Sequence, residues 1–119
     1  MSFFLHVTGG LSLPNDTKEL AKLHELVMKH YAPVELVSKN GLMLAVRPNS
    51  IEPGDEQTFF AFLYDVGKAF RGTVHGEFEV WWPMAVESGP QWWTVEPEHG
   101  RFTITESTIV REAPVEYTG

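Results

Sequence analysis

Two tryptophan doublets, Trp81-Trp82 and Trp92-Trp93, stand a short loop apart, each inside a run with the two-residue period of a β-strand. Successive side chains on a strand point to opposite faces, so one indole of each doublet must leave the face that its neighbour buries. A sheet built from these runs is either covered on both sides or presents aromatic surface for contact. Val74, Gly76, Phe78, Val80 and Trp82 form the inward set of the first run, and Trp93 and Val95 match it in the second. Thr73, His75, Glu77, Glu79 and Trp81, with Trp92 and Thr94, form the outward set. Pairing Val80 with Trp93 would set Trp81 directly opposite Trp92 as a cross-strand aromatic pair.

The rest of the chain supplies partners for these strands. Phe3, Leu5 and Val7 alternate with Phe4, His6 and Thr8, predicting a first strand that Gly9-Gly10 loosens or ends. Asp16 is placed to cap a helix, with Glu19 three residues on, in which Leu20, Leu23, Val27 and Tyr31 share a face and which Pro33 terminates. Residues 34–39 and 42–47 read as strands joined by Asn40-Gly41, a dipeptide suited to a type I′ turn. Asp55 is placed to cap a second helix carrying Phe59, Phe62, Leu63, Val66 and Phe70, which Gly67 weakens and Gly72 ends. Strands follow over 73–82, 91–96 and 101–106, with a last one through Ile109, Val110 and Val115 and a loose end at 116–119. The order predicts an α+β fold of the ferredoxin-like split βαβ type (β-α-β-β-α-β) with a C-terminal β-hairpin extension. It has an antiparallel sheet with two helices on one face. One domain over residues 1–119 is expected from the length and the lack of a linker.

Charge and composition narrow the functional classes. The formal net charge of -7 disfavours direct binding to a phosphate backbone and favours a basic partner protein, including a nucleic-acid enzyme whose groove it would occupy. The absence of cysteine removes disulfides, thiolate zinc sites and thiol nucleophiles. The start lacks the basic and apolar regions of a signal peptide and no run approaches membrane-spanning length, so a cytoplasmic location without membrane contact is expected.

Phe3-Phe4-Leu5-His6-Val7 with Gly9 resembles the opening of a small actinobacterial family without an assigned activity. Phe70-Arg71-Gly72-Thr73, Gly76-Glu77, Trp93-Thr94-Val95 and Gly100-Arg101 follow in the order of that family's Phe-x-Gly turn, Gly-Glu strand, Trp-x-x-Val strand and Gly-Arg turn. The resemblance covers about a third of the chain with short motifs. It implies a compact bacterial or phage domain and supplies no catalytic residues; the doubled tryptophans depart from the family's single one.

Candidate binding residues gather on the outward set. Trp81, Trp92 and Met84 are candidate apolar anchors for a partner protein, with Glu77, Glu79 and Phe4 beside them; Val86 and Glu87 extend the patch along the loop before Gly89-Pro90. Glu77 and Glu79 also suit a small enzyme or carbohydrate-binding domain with a Trp/Glu face. Two open sheets packing face to face would make a homodimer. His6, His75 and Glu77 are the one conceivable metal cluster, whereas His24 and His30 lack ligand spacing; no metal or cofactor is expected, because no nucleotide or metal-binding fingerprint is present. The favoured expectation is a small acidic protein-interaction module, of the kind an immunity protein or a phage-encoded inhibitor represents, occluding a basic surface of a larger protein.

Overall fold

The computed structural model describes residues 4–38, 41–83, 89–106 and 115–117. They form an α+β fold in the order β1 (His6–Ser12), α1 (Thr17–His30), β2 (Val34–Ser38), β3 (Leu42–Val46), α2 (Glu56–Phe70), β4 (His75–Trp81), β5 (Gln91–Val95), β6 (Phe102–Glu106) and β7 (Val115–Glu116). The strands make one sheet in the order β2-β3-β1-β4-β5-β6-β7, with every neighbouring pair antiparallel.

Alternation decides which face is buried. Leu11, Phe78, Val80, Trp93, Val95, Phe102 and Leu44 lie on one side, and all are buried. Phe59 of α2 meets Phe78 edge-on at 5.5 Å between ring centroids, and Phe60 meets Trp93 at 4.8 Å. Leu20, Leu23 and Val27 of α1 lie beside Leu36 and Leu44. Both helices therefore cover the same face of the sheet, and the Trp82 ring packs edge-on against Trp93 from that side.

Several sequence expectations are corrected. Gly9-Gly10 does not end β1: the strand runs through both residues, because it is clamped between β3 and β4. Gly9 has φ +96°, and a side chain there would collide with the Glu77 carbonyl, so glycine is what lets the central strand continue. The strand also begins later than expected, since the Leu5 N–H turns aside to the Ile51 carbonyl at 2.8 Å. Asp16 caps α1 as expected, accepting bonds from the Lys18 and Glu19 N–H groups at 2.9 and 3.3 Å. Tyr31 leaves the apolar face: it is the left-handed C-cap residue, and its side chain is exposed. Asp55 occupies the cap position of α2 without a side-chain cap bond. The Ser38–Leu42 pairing leaves three residues between the paired ends of β2 and β3; of the expected turn, Asn40 lies outside the described residues, as do Ile109 and Val110. Of the end expected to be loose, Tyr117 packs on Phe60, Tyr64 and Phe102, and residues 118 and 119 lie outside the described residues.

Gly67 of α2 turns out to be a contact residue. A Cβ there would lie 2.7 Å from the Gly100 carbonyl oxygen, so its missing side chain lets α2 press onto the β5–β6 turn. In an exposed helix Gly→Ala gains about 1 kcal/mol. Here Gly67→Ala is expected to lose about 1–3 kcal/mol through overpacking, read as a lower urea midpoint.

The two helices are latched at one end. His30 Nε2 and Asp65 Oδ2 share a hydrogen bond of 2.7 Å, and Lys29 Nζ lies 3.5 Å from the same oxygen. Burial works to raise the Asp65 pKa, but the His30 hydrogen bond and the charges of Lys29 and His30 together hold it below the usual carboxylate value. A lowered folded-state pKa contributes stability above the unfolded value of about 3.9, and that contribution is lost as pH falls through the folded value. Asp65→Asn should therefore cost about 0.5–1 kcal/mol near neutrality. The gap from wild type should close in strong acid, as a melting series across pH will record.

Candidate functional site

The face of the sheet turned away from the helices is a lattice whose rows follow from the register. His6 of β1 stands opposite Trp81 of β4. The next row is Thr8, Glu79, Trp92 and Thr105, and the one after it Gly10, Glu77, Thr94 and Thr103. Ser12 and His75 close the far end. Burial divides this face: Thr103 and Thr105 on β6 are buried and Trp92 is half-buried, whereas His6, Thr8 and Trp81 are exposed. Its accessible part is thus centred on the β1–β4 ladder.

Trp81 is the aromatic anchor that the geometry offers. Its neighbours Val80 and Trp82 point to the core side, and its own side chain stays 42% exposed at the end of β4. The indole N–H donates to Glu79 Oε1 at 3.1 Å, fixing the ring beside a carboxylate two residues away on the same face. One strand position further, the Thr94 hydroxyl donates to Glu77 Oε2 at 3.1 Å. Both carboxylates are thereby oriented. An aromatic face next to an oriented carboxylate matches a lysine or arginine side chain, which can stack on the ring and ion-pair at the same time.

The sheet is also segregated by charge. None of the described strands contains a lysine or arginine, while Glu35, Glu77, Glu79, Glu106 and Glu116 are all strand residues. The described lysines lie on the helices, as Lys18, Lys22 and Lys29 of α1 and Lys68 of α2, beside the carboxylates Glu19, Glu25, Glu56 and Asp65, and Arg47, Arg71 and Arg101 lie beside the elements. This polarity becomes legible in the sequence once the strand boundaries are known.

Of the six residues singled out from the sequence, Trp81, Trp92, Glu77 and Glu79 come together on the outer face. Trp81 and Trp92 are not directly opposite, however. Phe78 pairs with Trp93, so Trp92 faces Glu79 and lies diagonal to Trp81, because the large Phe78 and Trp93 side chains share one row of the core. Phe4 is half-buried and precedes the paired part of β1, and so does not belong to the lattice. Met84, Val86 and Glu87 lie outside the described residues.

The conceivable metal cluster does not form. His6 and His75 sit at opposite ends of the β1–β4 ladder, about 20 Å apart along the strands. Among the described residues no group of three His, Asp or Glu side chains is placed to hold a metal ion. Sequence reasoning missed one polar chain on the helix side, in which the Trp93 indole donates to Gln91 Oε1 at 2.7 Å and the Gln91 amide donates to Glu106 Oε1 at 2.6 Å. It satisfies the buried indole of Trp93.

The doublets should therefore separate cleanly in stability measurements. Trp93→Ala is expected to cost about 3–5 kcal/mol, as for a large core aromatic. Trp81→Ala should stay within about 0.5–1 kcal/mol of wild type, as for a surface substitution. Urea titrations followed by circular dichroism give both values. Among the described residues no helix is long and apolar enough to cross a membrane. No family model matches the chain, and neither a curated protein nor a solved structure does so.

Proposed function

We propose that the chain is a small acidic protein-interaction module that uses its outer sheet face to occlude a basic surface of a larger protein. The observation that carries this reading is the exposed Trp81 ring, tied to Glu79 on a sheet whose described strands hold glutamates and no lysine or arginine. A basic partner is drawn in by the field of that face and the net charge of -7, and Trp81 supplies the desolvated anchor. Glu77, Glu79 and Trp92 form its surround. An immunity-type protein or a phage-encoded inhibitor, working in the cytoplasm of a bacterial cell, fits this physical profile. The order β2-β3-β1-β4, with both helices over one face, supports a ferredoxin-like split βαβ unit as the scaffold, extended by β5, β6 and β7. Such scaffolds serve many functions, so the case rests on the face and not on the fold.

The test is capture from bacterial lysate on immobilised wild-type protein and on a Trp81→Ala/Glu79→Gln variant, with the retained protein identified by mass spectrometry, purified and titrated. A partner with a basic surface should be held by the wild type, weaken as salt rises, and lose about 2 kcal/mol or more of affinity to the variant. Equal retention by both proteins, or a partner whose affinity ignores salt, would remove the outer face from the interaction. Saturable binding of an oligosaccharide at Trp81 would replace this reading with the carbohydrate-binding one.

A further inference from the structure

The opposite end of the sheet carries a second exposed apolar feature that the outer face does not use. Among the described strands β2 is terminal, and beside it a groove of about 260 Å³ is lined by Leu20, Leu23, His24 and Val27 of α1 and by Val34, Glu35, Leu36 and Leu44 of the sheet. Leu36 is 63% exposed, and Met28, one turn beyond His24 on α1, is 58% exposed. Edge strands are ordinarily protected by lysine, proline or a bulge. The charged residue described within β2 is Glu35, which borders the groove while alternation turns its side chain to the outer face.

The hydrogen-bond phase of β2 shows what its edge can accept. The Arg47 N–H donates to the Pro33 carbonyl at 2.8 Å, so in this register Pro33, Glu35 and Val37 direct their backbone groups to β3. Leu36 and Ser38 must direct their N–H and C=O groups out of the sheet. The Val34 N–H is turned back to the Ala32 carbonyl at 2.9 Å, leaving its C=O for the edge.

From this pattern we infer that β2 is a self-pairing edge, and that a second copy of the chain adds to it antiparallel about a two-fold axis at Leu36. Leu36 then exchanges both backbone bonds with Leu36 of the other copy, and each Ser38 N–H reaches the other copy's Val34 carbonyl. Glu35 falls opposite Val37 and not opposite its own counterpart, so no like charges meet directly. On the helix side the two Leu36 side chains close the paired grooves. Thr17, Ala21, His24 and Met28 of α1 recur at four- and three-residue spacing, giving each copy an exposed stripe without lysine or carboxylate beside the groove. The axis is perpendicular to the sheet, leaving both Trp81 faces open on one side.

Sedimentation of the full chain tests this. Wild type should shift from a 13.5 kDa species to twice that mass as concentration rises, and Trp81→Ala should do the same. Leu36→Lys, which places two ammonium groups on the axis, should stay monomeric while retaining the wild-type circular dichroism spectrum. The chain has no cysteine, so Leu36→Cys offers an independent reading. Directly paired residues of this kind lie about 5.5 Å apart at Cα, within disulfide range, and mild oxidation should give a covalent dimer. Thr8→Cys on the outer face should not cross-link. A wild type that stays monomeric, a dimer that survives Leu36→Lys, or Leu36→Cys that does not cross-link would each overturn the inference. A monomer that takes up an extended apolar peptide along β2 would overturn it in favour of strand donation by another protein.

Discussion

The burial of Trp93 is the constraint on which the rest of the structure depends. Its ring lies against Phe59 and Phe60 of α2 and against Trp82, and its indole N–H is satisfied by Gln91. That bond matters because a buried donor without a partner would offset much of the gain from burying so large a ring. With Trp93 fixed, Phe78 becomes its row partner, and the β4–β5 register follows. A slip of one residue would turn Trp93 outward and drive Trp92 into the helix layer. The core thus determines which tryptophans are left for the surface, and the outer face inherits its geometry from packing on the other side.

That inheritance explains why the candidate site is flat and shared among strands. Trp81, Glu79 and Glu77 come from alternate positions of β4, with Thr94 of β5 and Thr8 and His6 of β1 as neighbours. Every one of these side chains is held on regular backbone, so the face is preorganised, and a partner that docks there orders little that is not already ordered. The separation of charge has the same origin. The helices carry lysines balanced by Glu19, Glu25, Glu56 and Asp65, while the described strands keep glutamates without lysine or arginine. The molecule therefore presents two chemically different sides without needing a separate binding domain.

Periodicity makes much of this legible in the sequence itself. The alternation in β4 and β5 placed Phe78, Val80, Trp93 and Val95 inward and Glu77, Glu79, Trp81 and Trp92 outward, and the burial of these residues agrees. Asp16 was recognisable as a cap because its chemistry is local. Properties that depend on distant contacts were less accessible. Gly9-Gly10 reads locally as a break, and only the approach of Glu77 from β4 shows why glycine belongs inside the strand. Gly67 likewise reads as a weak point of α2 until Gly100 is found against it. The β4–β5 register escaped because alternation fixes the face of each residue and leaves its opposite number to be set by the core. The His30–Asp65 latch joins two helices far apart in sequence, and no local pattern marks it.

The strand order carries a consequence for how the chain is made. β1 is synthesised before the other described elements, yet it ends between β3 and β4, and its longest ladder joins His6 to Trp81. The pairs β2–β3, β4–β5 and β5–β6 connect neighbouring elements and can zip locally, whereas β1 must wait for most of the chain before both its edges are closed. During that interval a strand with buried Leu11 and two flexible glycines would be exposed to competing edges. Completion of β4 is therefore the event that commits the nascent chain to this sheet, and slowing translation before residue 75 should raise misassembly more than slowing it after residue 106.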